Sequence, residues 1–160
     1  MRGAFLEALR DQLAKSLKGG QAFLSYEKAL EGIEPELRGV RPNEKLHSIY
    51  EELEHMRIAQ QDLLYYALES DWESPEWPEG FWPRPNQKIS NDEWNKTVNG
   101  FFNDQKKAIK MVKDPNIDLL SIIPGSTEYT YLREVIVIIE HNAYHLGKIF
   151  DIRKVLGNWK

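Results

Sequence analysis

Residues 131–150 of this 160-residue chain read YLREVIVIIEHNAYHLGKIF. Two sets of residues recur at steps of three and four along this stretch and its continuation. Leu132, Ile136, Ile139, Ala143, Leu146 and Phe150 form one set. Tyr131, Glu134, Ile138, His141, His145, Ile149, Ile152 and Leu156 form the other. Such spacing marks a helix, and at ~100° per residue the two stripes stand ~140° apart. A helix with two such stripes must be covered on two sides. One side is expected to face a bundle interior and carry the histidines. The other meets either a second core wall or a second subunit.

The preceding segments supply partners for this helix. Leu6, Leu9, Leu13 and Leu17 have helical spacing, and Gly19-Gly20 ends that run, so a first helix is expected over about Phe5 to Leu17. A shorter helix is expected from about Ala22 to Leu30. Pro35, Gly39 and Pro42 mark Glu34 to Leu46 as a connection. Ser48 and Glu51 form a capping box that opens a second long helix, with Ile49, Leu53, Met56, Leu63 and Ala67 as its core stripe. Trp72, Pro75, Trp77, Pro78, Phe81, Trp82, Pro83 and Pro85 crowd Asp71 to Ile89, where repeated proline forbids a regular helix. Ser90 and Glu93 form a second capping box, opening a helix over about Asn91 to Lys113 that Asp114-Pro115 stops. Gly125 ends the next connection, and Ser126 or Thr127 is the expected cap of the last helix, which runs to about Leu156. The expectation is an all-α, single-domain four-helix bundle over residues 1–160, with one short extra helix and a long Trp/Pro-rich loop.

Bulk composition excludes several function classes. The net charge is −4, which offers no basic footprint for nucleic acid. No cysteine is present, so there is neither a disulfide framework nor a protein thiol nucleophile, and any metal must be held by nitrogen and oxygen. No apolar run reaches the ~18 residues that suggest a membrane span. The first residues place Glu7 where a signal peptide would need an apolar core, so a cytoplasmic protein is expected.

The four histidines are unevenly placed. His141 and His145 lie one turn apart on one helical face, and His47 and His55 fall together in another segment. A His-x-x-x-His pair alone is weak evidence, because histidines on a helix often only hydrogen-bond locally. A single histidine on a neighbouring helix completes the set that an open three-histidine metal site requires, with positions left for water and substrate. His55 is the candidate third ligand. His47 competes with it, although its position before the Ser48 cap suits a surface residue. Glu51, Glu52 and Asp62 lie one or two turns from His55 and are candidate orienting groups or catalytic bases, against the commoner reading of a solvated face. The Trp-rich loop either packs over an open end of the bundle or walls a pocket at the metal.

Other familiar sites are missing. The pair reads His-Asn-Ala-Tyr-His and lacks the glutamate of a His-Glu-x-x-His protease. Glu52-x-x-His55 is the single Glu-x-x-His match within an expected helix, because Glu44-x-x-His47 falls in the connection before the Ser48 cap, whereas a di-iron bundle needs two on helices. No phosphate-binding glycine loop and no Gly-x-Ser-x-Gly elbow occurs.

The segments Leu132-Arg133-Glu134, Glu140 to Ile149 and Arg153 to Trp159, together with His47 to Met56, resemble the DinB-like (DinB/YfiT-like) superfamily of metal-dependent hydrolases. The resemblance implies an up-down-down-up four-helix bundle, commonly a homodimer. It implies one divalent metal ion, nickel or zinc, on a histidine of the second long helix and the His-x-x-x-His pair of the last. Those positions are His55, His141 and His145 here. Members with known activity include S-transferases that use low-molecular-weight thiols, and a thiol-dependent isomerase. The connection Ile123-Pro124-Gly125-Ser126-Thr127 lacks a histidine that many relatives carry there.

Two functions follow as expectations. One is a metal-dependent enzyme acting on a small-molecule substrate, either a hydrolase or a transferase using a small thiol cosubstrate. The other is a non-catalytic metal-binding or stress-linked interaction protein. Neither involves nucleic acid or a membrane.

Overall fold

The computed structural model describes residues 2–159, apart from the side chains of Arg2 and Ala4. Met1 and Lys160 of the expected 1–160 domain lie outside the described residues. Among the described residues, five α-helices run in the order α1 (Arg2–Lys18), α2 (Tyr26–Leu30), α3 (Ile49–Leu68), α4 (Asn91–Lys113) and α5 (Tyr131–Val155). No strand occurs among the described residues, only two isolated bridges. No described helix is long and apolar enough to cross a membrane.

Local chemistry sets most of these boundaries. α1 stops where Gly19 and Gly20 both adopt positive φ. At the head of α3 the Ser48 hydroxyl accepts from the Glu51 amide at 3.2 Å, and the Glu51 carboxylate accepts from the Ser48 amide at 2.8 Å. Ser90 and Glu93 repeat this arrangement on α4. Both expected capping boxes are present. The last carbonyls of α4 have no partner within the helix. The Arg10 guanidinium, arriving from α1, accepts that role by donating to the carbonyls of Val112, Asp114 and Ile117.

Three expectations are corrected. α5 is capped by Thr130 and not by Ser126 or Thr127. Ser126 is occupied inside the preceding turn, where its hydroxyl accepts from Glu128 and Tyr129, and Ile122 bridges Thr130. The short helix begins at Tyr26 and not near Ala22, because Gly19 bridges Ser25 and Ser25 becomes the cap. On α3 the core stripe passes through Gln60 and Leu64, which leaves Leu63 half-buried.

α5 packs most extensively on α3, α3 packs on α4, and α1 bridges α4 and α5. The order around the bundle is therefore α1, α4, α3, α5. Two apolar clusters fill it. One gathers Tyr26, Ile49, Leu53, Met56, Phe101, Leu146 and Ile149. The other gathers Leu17, Leu64, Ala67, Ala108, Val112 and Ile138. A polar layer separates them along the α3–α5 seam. Gln60 sits between Met56 and Leu64, and Asn142 sits between Leu146 and Ile138. Asn142 donates to the Gln60 side chain at 2.9 Å, and Gln60 donates to the Phe101 carbonyl at 2.8 Å.

Of the two stripes expected on α5, the one that carries the histidines has Glu134, Ile138, His145, Ile149 and Ile152 buried. The other stripe is only partly covered, and Ile136 is 41% exposed.

The Trp/Pro-rich loop is non-helical except for a 3₁₀ turn at Glu79–Phe81. Its later part lies against the connection before α3. A Cβ on Gly39 would stand 2.2 Å from the Asn86 carbonyl oxygen, so glycine there lets the two segments touch. Gly39→Ala is expected to cost about 1–3 kcal/mol. Gly147 is helical with nothing within 4 Å of its missing Cβ, and Gly147→Ala should stabilise by roughly 0.5–1 kcal/mol. Urea unfolding followed by circular dichroism measures both.

Candidate metal centre

The tight packing of α3 on α5 brings His55 to His141 and His145 across 86 and 90 residues of sequence. Each of the three offers a ring nitrogen, and these atoms all lie within 4.8 Å of one another. The Nε2 atoms of His55 and His141 are 3.0 Å apart. Two nitrogens bound to one ion at ~2.1 Å stand about 3.0 Å apart at a right angle and about 3.4 Å at a tetrahedral angle. The observed spacing falls at the short end of that range.

The outer ring nitrogens show which atoms are free to bind. His55 Nδ1 lies 2.8 Å from the Phe81 carbonyl, which can only accept, so Nδ1 carries the proton and Nε2 the lone pair. His145 Nδ1 lies 2.5 Å from Glu52 Oε2 and donates to it in the same way. Orientation of ligand histidines by such outer partners is the usual arrangement at protein metal sites. His141 Nδ1 is buried without a partner.

Burial favours the neutral form of His55 and His141. Burial is the main reason that His141 is pushed down to about 4, and the nearby His145 and His55 add to it. Burial also lowers His55, against the pull of the Phe81 carbonyl. Burial alone would raise Glu52, but the hydrogen bond and charge of His145, with Lys148 and His47 nearby, outweigh it and hold the carboxyl below the usual range. Neutral imidazoles beside one carboxylate suit a cation.

The three carboxylate candidates meet different fates. Glu52 joins the cluster: Oε2 accepts from His145, Oε1 accepts from His47 Nδ1 at 3.2 Å, and Lys148 Nζ stands 3.9 Å away. Glu51 is taken by Arg41 and the Ser48 cap. Asp62 accepts from the Trp72 indole at 2.8 Å. Neither of those two hydrogen-bonds a histidine. His47 lies outside the three-nitrogen group, half-exposed, and reaches the cluster through Glu52.

The loop contributes a residue that spacing alone does not single out. Trp82 lies flat on His55, with ring centroids 3.8 Å apart and planes 3° from parallel, and its ring is also 4.0 Å from that of His47. Trp77 packs against Phe81, while Trp72 stacks on Tyr65. The loop therefore packs on the bundle through Trp72, and Trp82 covers one face of His55. Beside it, a cavity of about 370 Å³ is lined by Gly39, Arg41, Glu51, Pro85 and Asn86, among others.

A family model described as the DinB superfamily matches residues 21–149. No curated protein and no solved structure matches the chain.

The buried histidines make metal-free stability pH-dependent. In the unfolded chain they titrate near ~6.5, and His141 in the fold titrates near 4. Between those values the unfolded state binds more protons, so stability is full above ~6.5 and is lost as pH falls towards 4. Glu52, held low in the fold, adds a further loss below the ordinary carboxylate range. Urea titrations of metal-free protein from pH 7 to 4 should show this decline, and His141→Gln should make it shallower.

Proposed function

We propose that the chain, which belongs to the DinB superfamily, is an enzyme built around one divalent metal ion, nickel or zinc, held by His55, His141 and His145. The observation that carries this reading is the set of three convergent ring nitrogens, two of them with their outer nitrogens already committed to protein acceptors. No carboxylate joins the group as a fourth ligand among the described residues. Three protein ligands with a vacant coordination position are characteristic of catalytic sites, and structural sites are closed by a fourth.

When bound, such an ion supplies Lewis acidity towards water or a small thiol. Water as nucleophile gives hydrolysis, and a low-molecular-weight thiol gives S-transfer. A chain without cysteine takes any thiol from outside. The protein's own residues set the stage. Glu52 orients His145 and accepts from His47, the Phe81 carbonyl orients His55, and Trp82 keeps water off one face of the His55 ring. A cavity beside Arg41 and Glu51, the residue preceding Glu52 on α3, offers space for a small molecule.

The second reading is a non-catalytic metal-binding or interaction protein. The observation in its favour is the indole of Trp82, which covers His55. Turnover separates the two readings. Purified protein is expected to hold one nickel or zinc ion per chain. His145→Ala should abolish that content while leaving the helical signal intact. Glu52→Gln should weaken zinc binding by about 10–100-fold. Metal retained by His145→Ala would point to other ligands. Turnover is sought with small thiols plus electrophiles, and with simple esters and amides. Metal-dependent turnover supports the enzyme, and its absence with bound metal favours the second reading.

We also propose a homodimer through the outer face of α5, where Ile136 and Tyr144 are exposed. Light scattering during size exclusion should give twice the chain mass, and a monomer at high concentration would refute it.

A further inference from the structure

We infer that His47 is a positioning residue: its imidazole ties the loop segment Phe81-Trp82 to the Glu52 carboxylate, and so steadies the outer supports of two of the three clustered histidines. Its value to a metal centre rests on the metal reading above. The tie itself stands on contacts of this chain.

The first contact follows from the way α3 begins. Ser48 is the N-cap, so His47 precedes the cap and Glu52 is the fourth helical residue. In many helices an apolar pair at these two positions packs together and fixes the angle at which the chain enters. Here the pair is polar. His47 Nδ1 stands 3.2 Å from Glu52 Oε1, and an ionised carboxylate can only accept, so the imidazole donates. Glu52 Oε2 accepts from His145 at 2.5 Å. Lys148 Nζ, 3.9 Å from Oε1, is beyond hydrogen-bond distance. Among the described residues His47 is therefore the hydrogen-bond donor to Oε1, on a carboxylate that is 2% exposed. The contact that sets the entry of α3 also holds the residue that orients His145.

The second contact reaches the loop between α3 and α4. The His47 ring lies 4.0 Å from that of Trp82, and Trp82 lies flat on His55 at 3.8 Å. The neighbouring Phe81 carbonyl accepts from His55 Nδ1 at 2.8 Å. Phe81 and Trp82 are consecutive, so an indole that swings away draws the carbonyl with it. His55 would then lose its acceptor and its cover together. His47 thus acts on His145 through Glu52 and on His55 through the loop, while lying outside the three-nitrogen group itself. It is half-exposed, so replacing it removes these contacts without emptying the core.

Two substitutions separate the contacts. His47→Phe keeps a ring against Trp82 and removes the donor. His47→Asn keeps a donor near the Nδ1 position and removes the ring. NMR on the metal-free full chain at neutral pH reads both. The Gly80 and Phe81 amides, which donate to the carbonyls of Glu76 and Pro78, report opening of the loop. Their hydrogen exchange should be about three- to tenfold faster in His47→Asn and close to parental in His47→Phe. The His145 Nδ1 proton signal should move in His47→Phe and stay close to its parental position in His47→Asn. With zinc loaded, His47→Ala should release the ion to excess chelator roughly tenfold faster than the parent, the low end of what losing a ligand's outer partner brings. The helical signal should be unchanged throughout. Parental loop exchange in His47→Asn, or an unmoved His145 signal in His47→Phe, overturns the inference. So does equal disturbance of both signals by both variants, or zinc release from His47→Ala at the parental rate. A parent that binds no zinc overturns the metal reading instead, and the two metal-free signals still decide the role of His47.

Discussion

The register of α3 against α5 is the constraint from which the rest of the molecule follows. Apolar contacts alone tolerate sliding, because hydrophobic burial has no direction. Leu53, Met56 and Leu64 on one helix and Ile138, Leu146 and Ile149 on the other would still be covered after a slip of one turn, ~5.4 Å. The hydrogen bond from Asn142 to Gln60 does not tolerate it. Each of these buried amides left unpaired costs about 1–3 kcal/mol. One directional contact between two apolar clusters therefore fixes which residues face each other. His55, five residues before Gln60, meets His141, beside Asn142, only in that register.

Glu51 and Glu52 show how a single helical turn divides two tasks. Both carboxylates are buried, and both are held in the charged form. Glu51 is stabilised by Arg41 and by the amide at the head of α3, so its charge is locally balanced and its work is structural. Glu52 has no arginine. It collects His145, His47 and, at longer range, Lys148. No arginine balances its charge, so Glu52 places a buried carboxylate beside the three converging imidazoles. Burying a carboxylate without a full counter-charge is expensive, and a bound cation would offset that cost.

Legibility in the sequence follows the range of the interaction. Capping boxes depend on residues three apart, so Ser48/Glu51 and Ser90/Glu93 could be read directly. The Gly19-Gly20 stop and the non-helical Trp/Pro loop are equally local. The start of α5 was not legible, because Ser126 is drawn into a turn stabilised by the Ile122–Thr130 bridge. The three histidines could be grouped by helical spacing and by resemblance to a known family. Their outer partners could not be assigned so simply. Whether Glu51 or Glu52 serves the site depends on Arg41, which arrives from the preceding connection. That Trp82 and not Trp72 or Trp77 covers His55 depends on how the loop between α3 and α4 returns to the bundle. Gln60 takes its meaning only from its contacts with Phe101 and Asn142.

The division of the core has a consequence for how this architecture can diversify. Neither apolar cluster contains a histidine, a carboxylate or the amide pair. The residues that would hold a ligand therefore occupy a layer whose composition is largely separate from the groups that supply most of the hydrophobic stability. Lineages descended from such a bundle can exchange ligands, reshape the covering loop and acquire new substrates while the two apolar blocks continue to specify the same helices. A scaffold with that separation is permissive to drift in chemistry, and the same separation makes it a suitable starting point for laboratory evolution.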